Sequence, residues 1–150
     1  MIKKSIENVL VLYHTLSTQE DKLWPKENWP KMIFKDGLEI GSEGSHGPIR
    51  YKVLEYEKSG RIVFEFKKPN GFNGIHKFEI SEIDPENTLI EHTIDMTTSG
   101  FGTIKWLLAI RSLHDALIED AFDKIQEHFD HDYQKAEWSP WVRTLRAIFK

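Results

Sequence analysis

The longest uninterrupted apolar pattern in the chain covers residues 103–129, which contain no proline or glycine. Gly100 and Gly102 precede it as turn residues, and Ser99 or Thr103 can cap a helix there. On a wheel of about 100° per residue the apolar side chains fill a wide arc, which predicts one long helix packed against a concave surface. The arc contains Ile104, Trp106, Leu107, Leu108, Ile110, Leu113, Leu117, Ile118, Ala121, Phe122, Ile125 and Phe129.

Two polar residues interrupt this arc, Arg111 and His114. A charged side chain on a buried face must be paired or must face something polar. Asp115 lies four residues after Arg111 and can pair with it along the helix. Alternatively, the arc forms one wall of a cavity into which Arg111 and His114 point. Both interpretations stay open.

Upstream of the helix the pattern changes to a period of two residues, which predicts β-strands. The segments SHG, KSG, PNGFN and DPE separate them and supply turn residues. Short connections make neighbouring strands antiparallel, so the fold class is α+β, with a curved antiparallel sheet wrapped around the long helix. The predicted strands are 38–45, 48–57, 61–68, 74–83 and 87–98.

Alternation along these strands places histidines among apolar residues. His76 shares a face with Phe78, and His92 shares a face with Ile94. With His114 of the helix, three histidines from separate elements are predicted to face one interior. The candidate ligand-binding residues between sheet and helix are Phe64, Phe66, His76, Phe78, His92, Ile94, Leu107, Arg111 and His114.

The segments before the sheet are less regular. Residues 6–16 fit either a strand or a helix, and we favour a helix with Ser5 as a possible cap. The pairs Trp24-Pro25 and Trp29-Pro30 predict an irregular segment, because proline pushes the preceding residue towards an extended conformation. The two indoles either anchor one end of the core or line a ligand entrance.

The chain ends with a polar linker and a short amphipathic segment. Ser139 and Pro140 read as N-cap and first helical position. We predict a helix within 139–150 that docks through Trp141, Leu145 and Phe149, because so short a helix needs a partner surface. That surface is its own domain, another subunit, a membrane or another partner.

Length and composition limit the function. A chain of 150 residues predicts one domain over 1–130, followed by a linker and helix over 131–150. The net charge of −4 gives no electrostatic footprint for nucleic acid, and cysteine is absent, which excludes disulfides and thiolate sites. No run is long enough to span a membrane, and we expect the N-terminus to belong to the mature fold of a cytoplasmic protein.

Three segments carry a family resemblance: HGPIRY, the G-x-H-x-F strand and the R-x-L-H-D-A-L helix. Over roughly residues 20–130 the chain resembles a bacterial branch of the START-like SRPBCC superfamily, the helix-grip proteins. The resemblance implies a bent sheet gripping the C-terminal helix with a cavity between them. Its members include carriers of hydrophobic molecules, polyketide cyclases and chaperone-activating domains. The family normally opens with a full strand, whereas only residues 1–5 remain for one here, and an open sheet edge favours pairing into a homodimer.

Three functions follow as expectations. The first is binding of a small hydrophobic or amphipathic ligand in an internal cavity, with Arg111 suited to a carboxylate. The second is cyclase or isomerase chemistry, in which a neutral histidine accepts a proton and Arg111 stabilises an enolate. The third is a partner-binding module. No HxH or HxxxH spacing supports a metal site, and we expect no cofactor.

Overall fold

The computed structural model describes residues 1–149, and its central element is a six-stranded antiparallel sheet in the order β1 to β6. The fold is α+β, as predicted, with a long helix after the last strand and a short helix at the end. The strands are β1 Ile33–Phe34, β2 Glu43–His46, β3 Ile49–Glu57, β4 Arg61–Lys68, β5 Phe72–Asp84 and β6 Asn87–Thr98. The helical segments are α1 Ile6–Tyr13, α2 Phe101–Lys105, a π-helical turn Trp106–Ile110, α3 Arg111–Phe129 and α4 Pro140–Ile148.

Four predicted strands match β3 to β6 closely, but the first does not. The predicted strand 38–45 is reduced to Glu43–His46, and β1 was not predicted. Gly37 and Gly41 have φ angles of 75° and 89°, so the chain turns twice before it can extend. The sequence pattern of alternating apolar residues does not show these turns.

The long hairpin of β5 and β6 forms one edge of the sheet, from the pair Phe72↔Thr98 to the pair Asp84↔Asn87. Gly74 of β5 has φ 149°, and a Cβ there would lie 2.2 Å from the carbonyl oxygen of Asp95. Only glycine therefore allows β6 to approach β5 so closely at this point.

The N-terminal segment forms a helix, as we favoured. Ile2 makes only an isolated bridge to Thr88, with two backbone hydrogen bonds of 2.8 and 2.9 Å. A full opening strand is therefore absent from the described residues 1–149. Pairing of an open edge with a second chain stays a prediction.

The core lies between the sheet and the second half of the long helix, where Leu117 and Ile125 are buried. Trp24 and Trp29 are also buried, at 1% and 6% exposure. The indole of Trp24 donates to the carbonyl of Pro30 at 2.9 Å, which closes the irregular segment on itself. Both tryptophans therefore anchor the end of the core.

The C-terminal helix docks on its own domain. Ser139 caps it by accepting a hydrogen bond from the backbone N–H of Val142 at 3.2 Å. Val142 and Leu145 are buried, whereas Trp141 and Phe149 are 50% and 62% exposed. The prediction that the helix docks through Leu145 is therefore confirmed, Trp141 contacts the domain while half exposed, and Phe149 is largely exposed, contrary to the prediction.

No helix in the described part of the chain is both long enough and apolar enough to cross a membrane.

Candidate functional site

The three histidines predicted to share an interior do meet between the sheet and the long helix. Nδ1 of His76 on β5 lies 3.2 Å from Nε2 of His92 on β6. The rings of His92 and His114 are 4.9 Å apart between centroids. Strand alternation placed the first two correctly, and the helix supplies the third.

Two residues that sequence reasoning left out extend this group. The hydroxyl of Tyr51 is hydrogen-bonded to Nδ1 of His46, and the Tyr51 ring lies 4.5 Å from that of His76. Tyr51 shares the parity of buried Ile49 and Val53 on β3, so alternation could have identified it. His46 ends β2, and no sequence signal placed it. We call His46, Tyr51, His76, His92 and His114 the histidine row.

Aromatic rings surround the row on the sheet side. His76 stacks on Phe64 at 4.8 Å and on Phe66 at 5.1 Å. Phe78 presents its edge to His92 at 4.6 Å. The strand register explains these contacts, because Phe64 pairs with His76 and Phe78 pairs with His92 across neighbouring strands. Ile94, opposite His76 on β6, is half-buried.

Burial keeps four members of the row uncharged. Loss of solvent lowers the pKa of His46 and of His92 to about 3, and nearby His114 opposes a second positive charge. Burial also lowers the pKa of His76 well below its ordinary value, and the neighbouring histidines add to this effect. The pKa of Tyr51 is raised by burial. At neutral pH these four side chains are therefore neutral.

One fully buried ring nitrogen of the row lacks a hydrogen-bond partner. His76 is 3% exposed, and its Nε2 has no hydrogen-bond partner within residues 1–149. Its other nitrogen already lies against His92. Buried polar atoms are nearly always hydrogen-bonded, so this nitrogen calls for a physical explanation.

Leu107 and Arg111 do not join the row, which corrects the sequence prediction. Leu107 is 63% exposed, and the Arg111 side chain is 65% exposed and lies 3.9 Å from Asp115. The simpler alternative, pairing of Arg111 along the helix, is the one observed. Leu107 lies within the π-helical turn Trp106–Ile110, before the buried part of α3, so a constant angle per residue does not relate Leu107 to the buried residues of α3.

The first half of the long helix is only loosely packed on the sheet. No residue of the π-helical turn is buried, although Trp106 contacts Phe72 edge-on at 5.7 Å. Trp141 of α4 adjoins this half, because its indole donates to the carbonyl of Leu108 at 3.2 Å. The exposed apolar side chains here form a patch of Phe101, Ile104, Leu107, Leu108 and Trp141.

Two depressions lie away from the histidine row. One, of about 180 Å³, is lined by residues between Ser17 and Ile33, including Asp21 and Trp24. A second, open depression lies beside Lys3 and Pro85. Neither contains a residue of the histidine row. Among residues 1–149, no group of three or more His, Asp or Glu is placed to hold a metal ion.

No protein-family model matches the chain, and no curated protein does. Several solved structures do match. A Thermobifida fusca protein solved by NMR has a TM-score of 0.65 at 13% identity, over 92% of this chain and 94% of that one. XoxI from Bacillus cereus has a TM-score of 0.63 at 14% identity, over 89% and 94%. The crystal structure of CalU16 from Micromonospora echinospora has a TM-score of 0.59 at 15% identity, over 97% and 77%. At such identities the likeness establishes a shared fold alone.

Proposed function

We propose that the protein is a helix-grip domain that binds a small hydrophobic or amphipathic molecule between the sheet and the first half of the long helix. The observation that carries this proposal is the buried, unpartnered Nε2 of His76. It lies among the rings of Tyr51, Phe64 and Phe66. A mostly apolar lining with a few polar groups is the usual make-up of a small-molecule site.

The first half of the long helix is loosely packed, and a ligand could enter the site beneath it. Trp106, Ile110 and Leu113 pack against the core while staying partly exposed, in contrast to the buried residues from Ala116 onward. Segments with few buried contacts open at low free-energy cost. We therefore place the entrance under the π-helical turn, next to the exposed apolar patch.

The fold likeness agrees with this proposal. The matched structures share the architecture of a sheet and a long helix, and the sequence motifs resemble the helix-grip superfamily, whose members include carriers of hydrophobic molecules.

A neutral fluorescent probe tests the proposal. N-phenyl-1-naphthylamine should bind the folded protein saturably, at about one site per chain, in a fluorescence titration. Leu113→Trp should weaken binding at least about tenfold, because Leu113 packs against the core and a larger ring there would fill the space proposed for the ligand. Leu108→Trp is the matched control, since Leu108 is 62% exposed. Absence of saturable binding would refute the proposal. Loss of binding only in Leu108→Trp would move the site to the exposed patch.

Proton-transfer chemistry at the same place is a second candidate, favoured by one observation. Nδ1 of His114 lies 3.5 Å from Oδ1 of Asp115, so a carboxylate can orient a ring that adjoins His92. This arrangement suits removal of a proton next to a carbonyl. Arg111 no longer enters the mechanism, because it faces solvent.

Hydrogen exchange distinguishes an enzyme from a carrier. An enzyme should speed exchange of the α-protons of a bound aryl methyl ketone with D₂O, as followed by NMR. His114→Gln should abolish the exchange while the ketone still binds. A carrier would bind the ketone without any exchange above the rate in buffer.

A further inference from the structure

The charges around the histidine row decide which head group a ligand can have. His46, His76 and His92 are neutral at pH 7, because burial lowers the pKa of each ring, and the fourth histidine, His114, lies against Asp115. The row therefore offers hydrogen bonds but no positive charge to a molecule held beside His76.

The nearby cations are directed elsewhere. The guanidinium of Arg50 donates to the backbone carbonyls of Gly47 at 2.6 Å and Ile49 at 3.1 Å. Arg111 is exposed and lies against Asp115. The Arg50 charge helps to lower the pKa of His46 at one end of the row, but no contact brings either guanidinium to His76. Lys77 alternates with His76 on β5 and so projects to the opposite face, where it pairs with Glu79.

An acidic group stands at one end of the row. Asp115 lies beside His114, and hydrogen bonding to this ring lowers the pKa of its carboxyl. An anionic head group would meet this carboxylate at the His114 end of the row, and beside His76 it would lose water without a cation in contact. Burial of an unpaired charge is far costlier than burial of a neutral polar group that finds a hydrogen bond.

We propose that this site selects a neutral ligand that carries one hydrogen-bonding oxygen, such as a ketone, alcohol or phenol, placed against Nε2 of His76, and that it rejects carboxylates of the same shape. The inference rests on the binding function proposed above. It replaces the sequence-based expectation that Arg111 would receive a carboxylate.

Three naphthalene compounds test it by calorimetry at pH 7: 2-acetonaphthone, 2-naphthoate and naphthalene. The ketone and the carboxylate have nearly the same shape and differ in charge. The ketone should bind at least about tenfold tighter than the carboxylate, since even a partly buried unpaired charge costs more than a kilocalorie. Equal or tighter binding of 2-naphthoate would overturn the inference and leave the binding function intact. Failure of all three to bind would overturn the binding function as well.

A single substitution tests the role of His76. His76→Phe keeps an aromatic ring in place and removes the ring nitrogen. The substitution should weaken the binding of 2-acetonaphthone by about fivefold, which corresponds to the loss of one neutral hydrogen bond. The affinity for naphthalene should not change. Unchanged affinity for the ketone in a folded His76→Phe protein would overturn the assignment to His76. The ratio between ketone and carboxylate in the wild-type protein stays decisive if that variant does not fold.

Discussion

The ring nitrogens of His76 and His92 lie 3.2 Å apart on neighbouring strands, so one ring donates a hydrogen bond to the other. This bond requires at least one bare ring nitrogen between them. Protonation of both rings would break it and place two positive charges side by side in the core. The pair is therefore stable only while it stays at most singly protonated.

We predict that acid destabilises the fold before most carboxylates titrate. The folded pKa of His46 and His92 is about 3, below an unfolded value near 6.5. Below pH 6.5 the unfolded chain therefore binds more protons than the folded one, and stability is lost as the pH falls. As the pH falls from 6.5 to 5, each of the two rings should lower the unfolding free energy by about 2 kcal/mol. Urea denaturation across this range measures the loss.

The variant His92→Gln provides the control for this prediction. Glutamine keeps a hydrogen-bonding group beside His76 and does not titrate. The loss of unfolding free energy between pH 6.5 and 5 should be smaller by about 2 kcal/mol in His92→Gln than in the wild type. In His131→Gln, whose substituted side chain is exposed, this loss should be the same as in the wild type. Parallel pH profiles of wild type and His92→Gln would show that His92 is not held neutral.

A second prediction concerns Asp120, which joins two distant tryptophans. Its carboxylate accepts the indole N–H of Trp29 at 2.6 Å and that of Trp138 at 2.9 Å. Asp120→Asn replaces one acceptor oxygen with an NH₂ group that faces a donor. It should lower the unfolding free energy by about 1–3 kcal/mol. Glu119→Gln on the exposed face of the same helix is the control. Equal stability of both variants in urea would show that the two bonds contribute nothing.

The sheet and the long helix could be predicted because their patterns follow from periodic burial. The parity of β5 and β6 placed His76 and His92 on one face, and the structure confirms it. Such inferences use only local geometry, in which a strand alternates at every residue. They succeed wherever an element is regular and packed on one side.

The parts that could not be predicted depend on contacts between distant residues. The linker after α3 is polar, yet Asp123 fixes it by accepting hydrogen bonds from the Tyr133 hydroxyl and the Ala136 N–H, both at 2.8 Å. Nothing in the composition of 130–137 reveals that partner. The prediction that Leu107 and Arg111 line the candidate site was wrong for a similar reason, because a π-helical turn has no clear sequence signature.

A third prediction tests how the C-terminal helix docks. Leu145 is 4% exposed, whereas Phe149 is 62% exposed. Leu145→Ala should cost about 2–5 kcal/mol and speed proteolysis of the segment after Phe129, because it removes buried contacts. Phe149→Ala should change stability by less than about 0.5 kcal/mol. The reverse order of effects would mean that the helix packs mainly through Phe149, as the sequence predicted, rather than through Leu145.

The last prediction compares two residues of one helical face, Ile118 and Leu107, which are three turns apart along the chain. A constant helical wheel makes them equivalent, yet they are 9% and 63% exposed. Ile118→Ala should therefore lower the unfolding free energy by about 2–5 kcal/mol, through lost contacts and a residual cavity. Leu107→Ala should lower it by less than about 0.5 kcal/mol, because water already covers that side chain. Urea denaturation of the two variants measures both. A cost for Leu107→Ala as large as that for Ile118→Ala would mean that the first half of the helix is closed onto the sheet in solution, and the entrance that we place beneath the π-helical turn would then not exist.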